Sequence, residues 1–342
     1  MKTAKRITIF VALGMVVIGA IMTVGALASA KFDINNLIKT VKYTEKTYDI
    51  TEDFDNIDMQ IHSQDVHVEK SDDGDTHFVC YECDSEWFEV SVQDGTLVID
   101  NKQYDHWTIM VNVEMGDHAT LYLPEEVYDN LTAKNGSGDI CINKDAFTFE
   151  DIDIEIGSGD AALASLSADD IILYSGSGDL SLDGVNAGSA ELKCGSGDIS
   201  VADCNIEDFV NGKVGSGDVT CSQVSCNSAN VKTDSGDITI DVMNCKSDFE
   251  TKASSGEIIL MDVTSGASLS ADTGSGNIKL KACDAEEMDF KTGSGDITGT
   301  LKSAMKYDAK TGSGEVRIPA DGDGGNCTVR SGSGDIELSI AE

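Results

Sequence analysis

A five-residue phrase, Gly-Ser-Gly-Asp-Ile with small variations, recurs from Gly136–Ile140 to Gly332–Ile336, and its period leaves few folds open. The fourth position holds Asp139, Asp160, Asp179, Asp198, Asp218, Asp237, Glu257, Asn277, Asp296, Glu315 and Asp335. Successive copies stand 19 to 21 residues apart, and the residues between them differ. A fixed period of this length marks a solenoid in which each repeat makes one coil.

Within a period the apolar residues alternate. Ile199 and Val201 follow Asp198, and Cys204 lies six residues past it. A second alternation approaches each corner, as Ala190 and Leu192 do, and the residue four before the acid shrinks to Ser175, Cys194 or Thr233. Period two is that of a strand with one buried face. Each coil therefore offers about five inward side chains on two short strands, too few to be buried unless coils stack. The expected fold is all-β: a right-handed parallel β-helix, its hand taken from the general rule for parallel crossovers. Corner glycines such as Gly138 are expected at positive φ, with Ser and Asp bonding nearby N–H groups in local turns.

The formal net charge of −37 argues against a nucleic-acid partner. Only Pro124 and Pro319 interrupt the supply of ladder N–H groups. At the start, Lys2, Lys5 and Arg6 precede an uncharged apolar run from Ile7 to Ala30, long enough to span a bilayer. The run ends in Ala28-Ser29-Ala30, which also suits a signal peptidase. Residues 1–30 are thus expected to be an uncleaved transmembrane helix that anchors the chain in the cell membrane with 31–342 outside the cytoplasm. Cleavage after Ala30 would instead secrete the same segment. Residues 31–47 read as a stalk, 48–133 as an irregular β-rich cap and 134–342 as the repeats. Asp94-Gly95 is a hairpin signal inside the cap.

Ten cysteines in an exported chain raise the question of disulfides. Cys194, Cys204, Cys221, Cys283 and Cys327 fall on inward positions, where they act as small hydrophobes and are expected as buried free thiols. Stacked neighbours would still lie within bridging range. Cys80 and Cys83 form the one C-x-x-C, and on a strand these two face opposite ways. All five histidines and both tryptophans precede the repeats. His62 and His67 have no ligand spacing, and Trp87, Phe88 and Trp107 are expected to pack the cap.

The Ser-Gly-Asp-Ile/Val repeats, the variant Ser63-Gln64-Asp65-Val66 and the lead-in Leu121-Tyr122-Leu123-Pro124 resemble a large bacterial family of β-strand-repeat proteins. Its members have no known function, carry the adhesin name and are related to auto-transporter-adhesin-head-like proteins. The resemblance implies a parallel β-helix at the cell envelope, with some relatives encoded beside envelope-stress regulators. It carries over no catalytic residues.

One set of residues could bind a ligand. Stacked at coil spacing, Asp139, Asp160, Asp179, Asp198, Asp218, Asp237, Asp296 and Asp335 could take up a divalent cation weakly, Ca²⁺ above all. The plainer reading is that they close turns, as Asn277 could without charge. No catalytic set is legible, since the repeats lack histidine and inserted loops. The chain reads as a non-enzymatic, adhesin-like envelope module for a cell-surface, glycan or protein ligand. An accessory or sensor role in envelope stress and a glycan-acting enzyme are the alternatives.

Overall fold

The computed structural model describes residues 39–103, 110–114, 118–124, 127–142 and 147–341. All regular elements among them are strands. The expected membrane segment 1–30, the first part of the stalk, and Trp107 lie outside the described residues. Among those described, no helix is long and apolar enough to cross a membrane.

The described residues fall into two compact units. In the smaller one, which takes in 80–87 and the ends of two other segments, Lys39–Lys42 pairs in parallel with Met110–Glu114. An antiparallel bridge joins Cys83 to Glu86, whose carboxylate accepts the Tyr43 hydroxyl at 2.5 Å.

The larger unit, residues 47–79, 88–101 and 118–342, is the expected β-solenoid. Its strands pair in parallel with those one coil away, and equivalent positions face one another. Leu173, Leu192 and Gly212 stand in one register, and Leu182, Val201 and Cys221 in another. The inward residues are buried as the alternation predicts: Ile199 is 1% exposed and Leu192 0%. Each such side chain contributes about 1.5–3 kcal/mol by leaving water, and its neighbours are the coils above and below. A coil without both neighbours forfeits much of that, so the stack holds as a whole.

The stacking order departs from the chain order at both ends. Asn56–Ile61 and Val66–Lys70, within the stretch assigned to the cap, make a full coil that lies against Val127–Asn135 and Ile140–Ile142. At the other end, Glu287–Thr292 and Ile297–Leu301 pair with Asn326–Ser331 and Ile336–Ile340. Lys306–Thr311 and Val316–Arg317 pair with those same two strands from the far side. The order in space is therefore Asp296, Asp335, Glu315. Val316, an inward position by sequence, is 41% exposed because its coil is outermost.

Each coil turns twice. The pentapeptide makes one corner. In seven coils a single residue in the left-handed region makes the other, five past the acid: Ser165, Gly184, Asp203, Gln223, Val242, Asp262 and Ala282, with φ between 51° and 64°. Only one of the seven is glycine, so no side-chain signal marks this corner. Backbone bonds between coils hold it, as from Ser165 N–H to Asp183 O (2.9 Å) and Asp203 N–H to Ser222 O (3.0 Å).

Candidate functional site

The glycine before each acid is required by crowding more than by backbone freedom. A Cβ on Gly138 would sit 2.4 Å from the carbonyl oxygen of Gln64, and one on Gly236 1.9 Å from that of Gly217. At Gly138 the φ lies outside the left-handed region, contrary to the expectation, whereas Gly236 does combine the close approach with φ +152°. Coils pack corner on corner so tightly that a methyl group has no place.

This stacking brings the eight predicted aspartates into one column. Their carboxylates do not serve their own turns. Each offers Oδ1 to the backbone N–H of the acidic position one coil on: Asp139 accepts from Asp160 at 2.8 Å, Asp160 from Asp179 at 2.7 Å and Asp218 from Asp237 at 2.7 Å. Asp65, in the variant repeat, accepts from Asp139 at 2.9 Å and so opens the column. Asp296 accepts from Asp335 at 2.8 Å, and Asp335 in turn from Glu315 at 2.8 Å. Asn277 takes the N–H of Asp296 through its amide oxygen at 2.9 Å, so the rung needs an acceptor and not a charge. Glu257 is one methylene too long. Its carboxylate meets Lys279 Nζ at 2.9 Å and accepts the Asn277 side-chain amide at 3.4 Å.

A second ladder runs inside the first, and it explains the small polar residues that stand four before most of the acids. Their hydroxyls donate to the carbonyl of a corner glycine in the adjoining coil. Ser175 reaches Gly159 O at 3.0 Å, Thr233 reaches Gly217 O at 3.0 Å and Thr292 reaches Gly276 O at 2.8 Å. Cys194 makes the same contact through its thiol, to Gly178 O. Most corners thus gain an acceptor and a donor from their neighbours. Together they satisfy backbone groups that a sharp bend would leave open.

Elsewhere, the only described His/Cys/Asp/Glu grouping whose ligand atoms all lie within 4.8 Å is Asp73, Asp75 and His77. Spacing alone did not single it out. His77 Nδ1 lies 2.9 Å from Asp49, and Nε2 lies 3.0 Å from Asp73. The Asp49 bond, helped by Asp73, holds the imidazole above its ordinary value. Asp73, accepting from Ser71 Oγ at 2.7 Å and from Asp75 N–H, is held down to about 2. His62 and His67 are not brought together. The first meets the Asn101 side chain, and the ring of the second stacks on His118 with centroids 4.0 Å apart. Phe88 does pack the core, edge-on to Phe78.

All ten cysteines are free thiols, eight of them buried. Cys80 is buried and pushed up to about 12 by desolvation, while Cys83 sits in a turn near Ser85 Oγ. One pair stands out: Cys226 and Cys245 face each other on adjacent coils with sulfurs 3.1 Å apart. The two thiols share this hydrogen bond, which either sulfur could donate, and it lowers the pKa of Cys226 and raises that of Cys245.

Several solved structures are similar in outline. A protein named as a putative adhesin from Bacteroides fragilis is 18% identical, with a TM-score of 0.40 over 86% of this chain and 97% of that one. A protein named as a putative lipid binding protein from Parabacteroides distasonis is 16% identical, with a TM-score of 0.41 over 88% and 100%. No curated protein matches the chain. The Toastrack DUF4097 family profile matches residues 54–242, 208–320 and 244–342, which together span the solenoid. The chain therefore belongs to the Toastrack DUF4097 family.

Proposed function

We propose that this protein is a non-enzymatic surface binding module, adhesin-like, held outside the cytoplasm by its apolar N-terminal segment. The observation that carries this reading is the register of the outward side chains. Because coil follows coil in parallel, each outward position becomes a straight column at about 4.8 Å spacing, and such columns suit extended or repetitive ligands. Large apolar side chains stand on one of these faces: Ile172 is 45% exposed, and Tyr174 and Phe209 each 44%. The right-handed winding expected for parallel crossovers belongs to the same reading. The corner aspartates support a structural role, since one oxygen of each is spent on a backbone N–H. Their second oxygens would take up Ca²⁺ weakly, as stacked carboxylates do.

The test is a screen of the chain against glycan and host-matrix panels, with and without Ca²⁺. Saturable binding to one ligand class is the expected result, and flat results in both conditions would remove the reading. Exchanging residues 1–30 for a cleavable signal separates adhesion from a sensor role. Binding would survive the exchange, whereas envelope-stress signalling would be lost.

A further inference from the structure

On this strongly acidic chain, basic side chains are not scattered. Residues 134–342 contain fifteen lysines and arginines, and eight of them occupy one outward position, five before the acid. The strand pairings place them in a single column. Lys193, Lys213, Lys232 and Lys252 stand on four consecutive coils. Past Asp272 the column resumes with Lys291 and Arg330 and ends on Lys310. That last order exists only because the coil of 326–340 lies inside the coil of 306–317. Lys134 is the eighth, below Glu155 and Tyr174.

The adjacent outward column, seven before the acid, neutralises part of this charge. Lys193 pairs with Glu191 at 2.6 Å, and Lys232 with Glu250 at 3.3 Å. These are exposed pairs, worth roughly 0–1 kcal/mol each, and an incoming anion can replace them. At the other two coils that column offers Asn211 and Asn230, and Lys252 also pairs with Asp272 at 3.6 Å, so of the four lysines Lys213 alone is left without a carboxylate partner among the described residues. The corner carboxylates lie five residues along the chain, and at physiological salt the field falls off within about 8 Å. Tyr174 heads the lysine run in the same column. Phe209 stands two columns over on the coil of Lys213, beside Ser189 and Ser228.

We infer that this strip binds a linear acidic polysaccharide, a polyuronate, laid along the solenoid axis. This rests on the surface-binding reading and names its ligand class. Four like charges at about 4.8 Å steps span about 14 Å, a spacing set by the sheet itself. A hexuronate residue is about as long as one coil is high and carries one carboxylate, so charges along such a chain repeat at about the axial spacing of the lysines. Asn211, whose Nδ2 donates to Glu191 at 3.2 Å, and the Nδ2 of Asn230 supply amides for sugar hydroxyls. Tyr174 and Phe209 supply flat apolar faces against which the C–H side of a pyranose packs. An anionic membrane needs no such register, and polyphosphate has no use for the amides or rings.

The test uses polygalacturonate, titrated against the full chain by calorimetry at two salt concentrations. Saturable binding that weakens with salt is expected. The double variant Lys213→Gln/Lys232→Gln should lose about ten-fold in affinity, at about three-fold per exposed charge. The control Lys281→Gln/Lys302→Gln, with the same net charge, should bind as the parent does. Tyr174→Ala should weaken binding without changing its salt dependence. Absence of binding, equal losses in both double variants, or equally tight binding to polyphosphate or phosphatidylglycerol vesicles would overturn the inference. A different ligand in the glycan and matrix screen, with none for polygalacturonate, would sink the inference and leave the surface-binding reading standing. Silence in both would sink both.

Discussion

Replacing Asp218 distinguishes a column built to hold the backbone from one built to hold cations. Its Oδ1 accepts the N–H of Asp237 at 2.7 Å, and its own N–H goes to Asp198 at 2.8 Å. Asp218 is exposed, with like charges one coil away on both sides. At about 4.8 Å in water each such repulsion costs about 0.9 kcal/mol, and physiological salt about halves it. Removing the charge therefore returns about 1 kcal/mol. Asp218→Asn keeps an acceptor but weakens the bond by about 1 kcal/mol, the difference between a charged and a neutral partner. The two changes cancel. Asp218→Ala gains the same relief but forfeits the whole bond, about 2 kcal/mol, and ends about 1 kcal/mol less stable. The readout is calorimetric melting of parent and both variants, with the alanine variant about 2 °C below the other two. Hydrogen exchange at the Asp237 amide should quicken about five-fold in the alanine variant alone, in keeping with a loss of about 1 kcal/mol. If asparagine proved as harmful as alanine, the charge and not the acceptor would matter, and the backbone account of the column would fall.

Further expectations concern the corners, the histidine and the thiols. Gly236→Ala should cost about 3 kcal/mol or more, since its Cβ would lie 1.9 Å from Gly217 O at φ +152°; an unchanged urea midpoint would contradict the crowding. Val242→Gly should gain about 1 kcal/mol, because a β-branched residue at φ 57° is strained and only partly buried; a lower melting temperature would refute it. The raised pKa of His77 gives stability that is complete below 6.5 and is lost as pH rises through the folded value. The lowered pKa of Asp73 gives stability present above 3.8 and lost as pH falls toward about 2, so their pairing is strongest between 3.8 and 6.5. An NMR titration placing His77 at or below 6.5 would count against it. Treatment with a small disulfide such as oxidised glutathione should join Cys226 to Cys245, releasing two equivalents of the small thiol and leaving eight alkylatable thiols of ten. Ten remaining after oxidation would exclude the pairing.

Much of the solenoid could be read from the sequence because it rests on side-chain type. Inward alternation at Ile199, Val201 and Leu192 follows from burial, and the Gly-Asp corner from crowding and an acceptor. The destination of that acceptor was less accessible: an aspartate in a Gly-rich turn looks local, and only stacking turns Asp139 toward Asp160. The second corner was illegible, because the backbone alone fixes it and Ser165, Gln223 and Val242 share no chemistry. The basic column was hidden for a related reason. Lys193, Lys213 and Lys232 are some twenty residues apart in sequence and become neighbours only once the coils are in register. Asp73, Asp75 and His77 stand two residues apart, a local spacing that could have marked the grouping, whereas the bond from His77 to Asp49 is long-range and no local pattern reveals it.

The shuffled order at the far end bears on how the column is completed. Residues 306–317 are synthesised before 326–340, yet the later segment lies between them and the rest of the stack. A chain emerging from its N-terminal side cannot add rungs one after another there; the earlier rung has to wait unseated until its successor has slipped beneath it. Deleting 326–340 would then strand two rungs rather than one, and a tug on the outermost rung works against a segment already locked below.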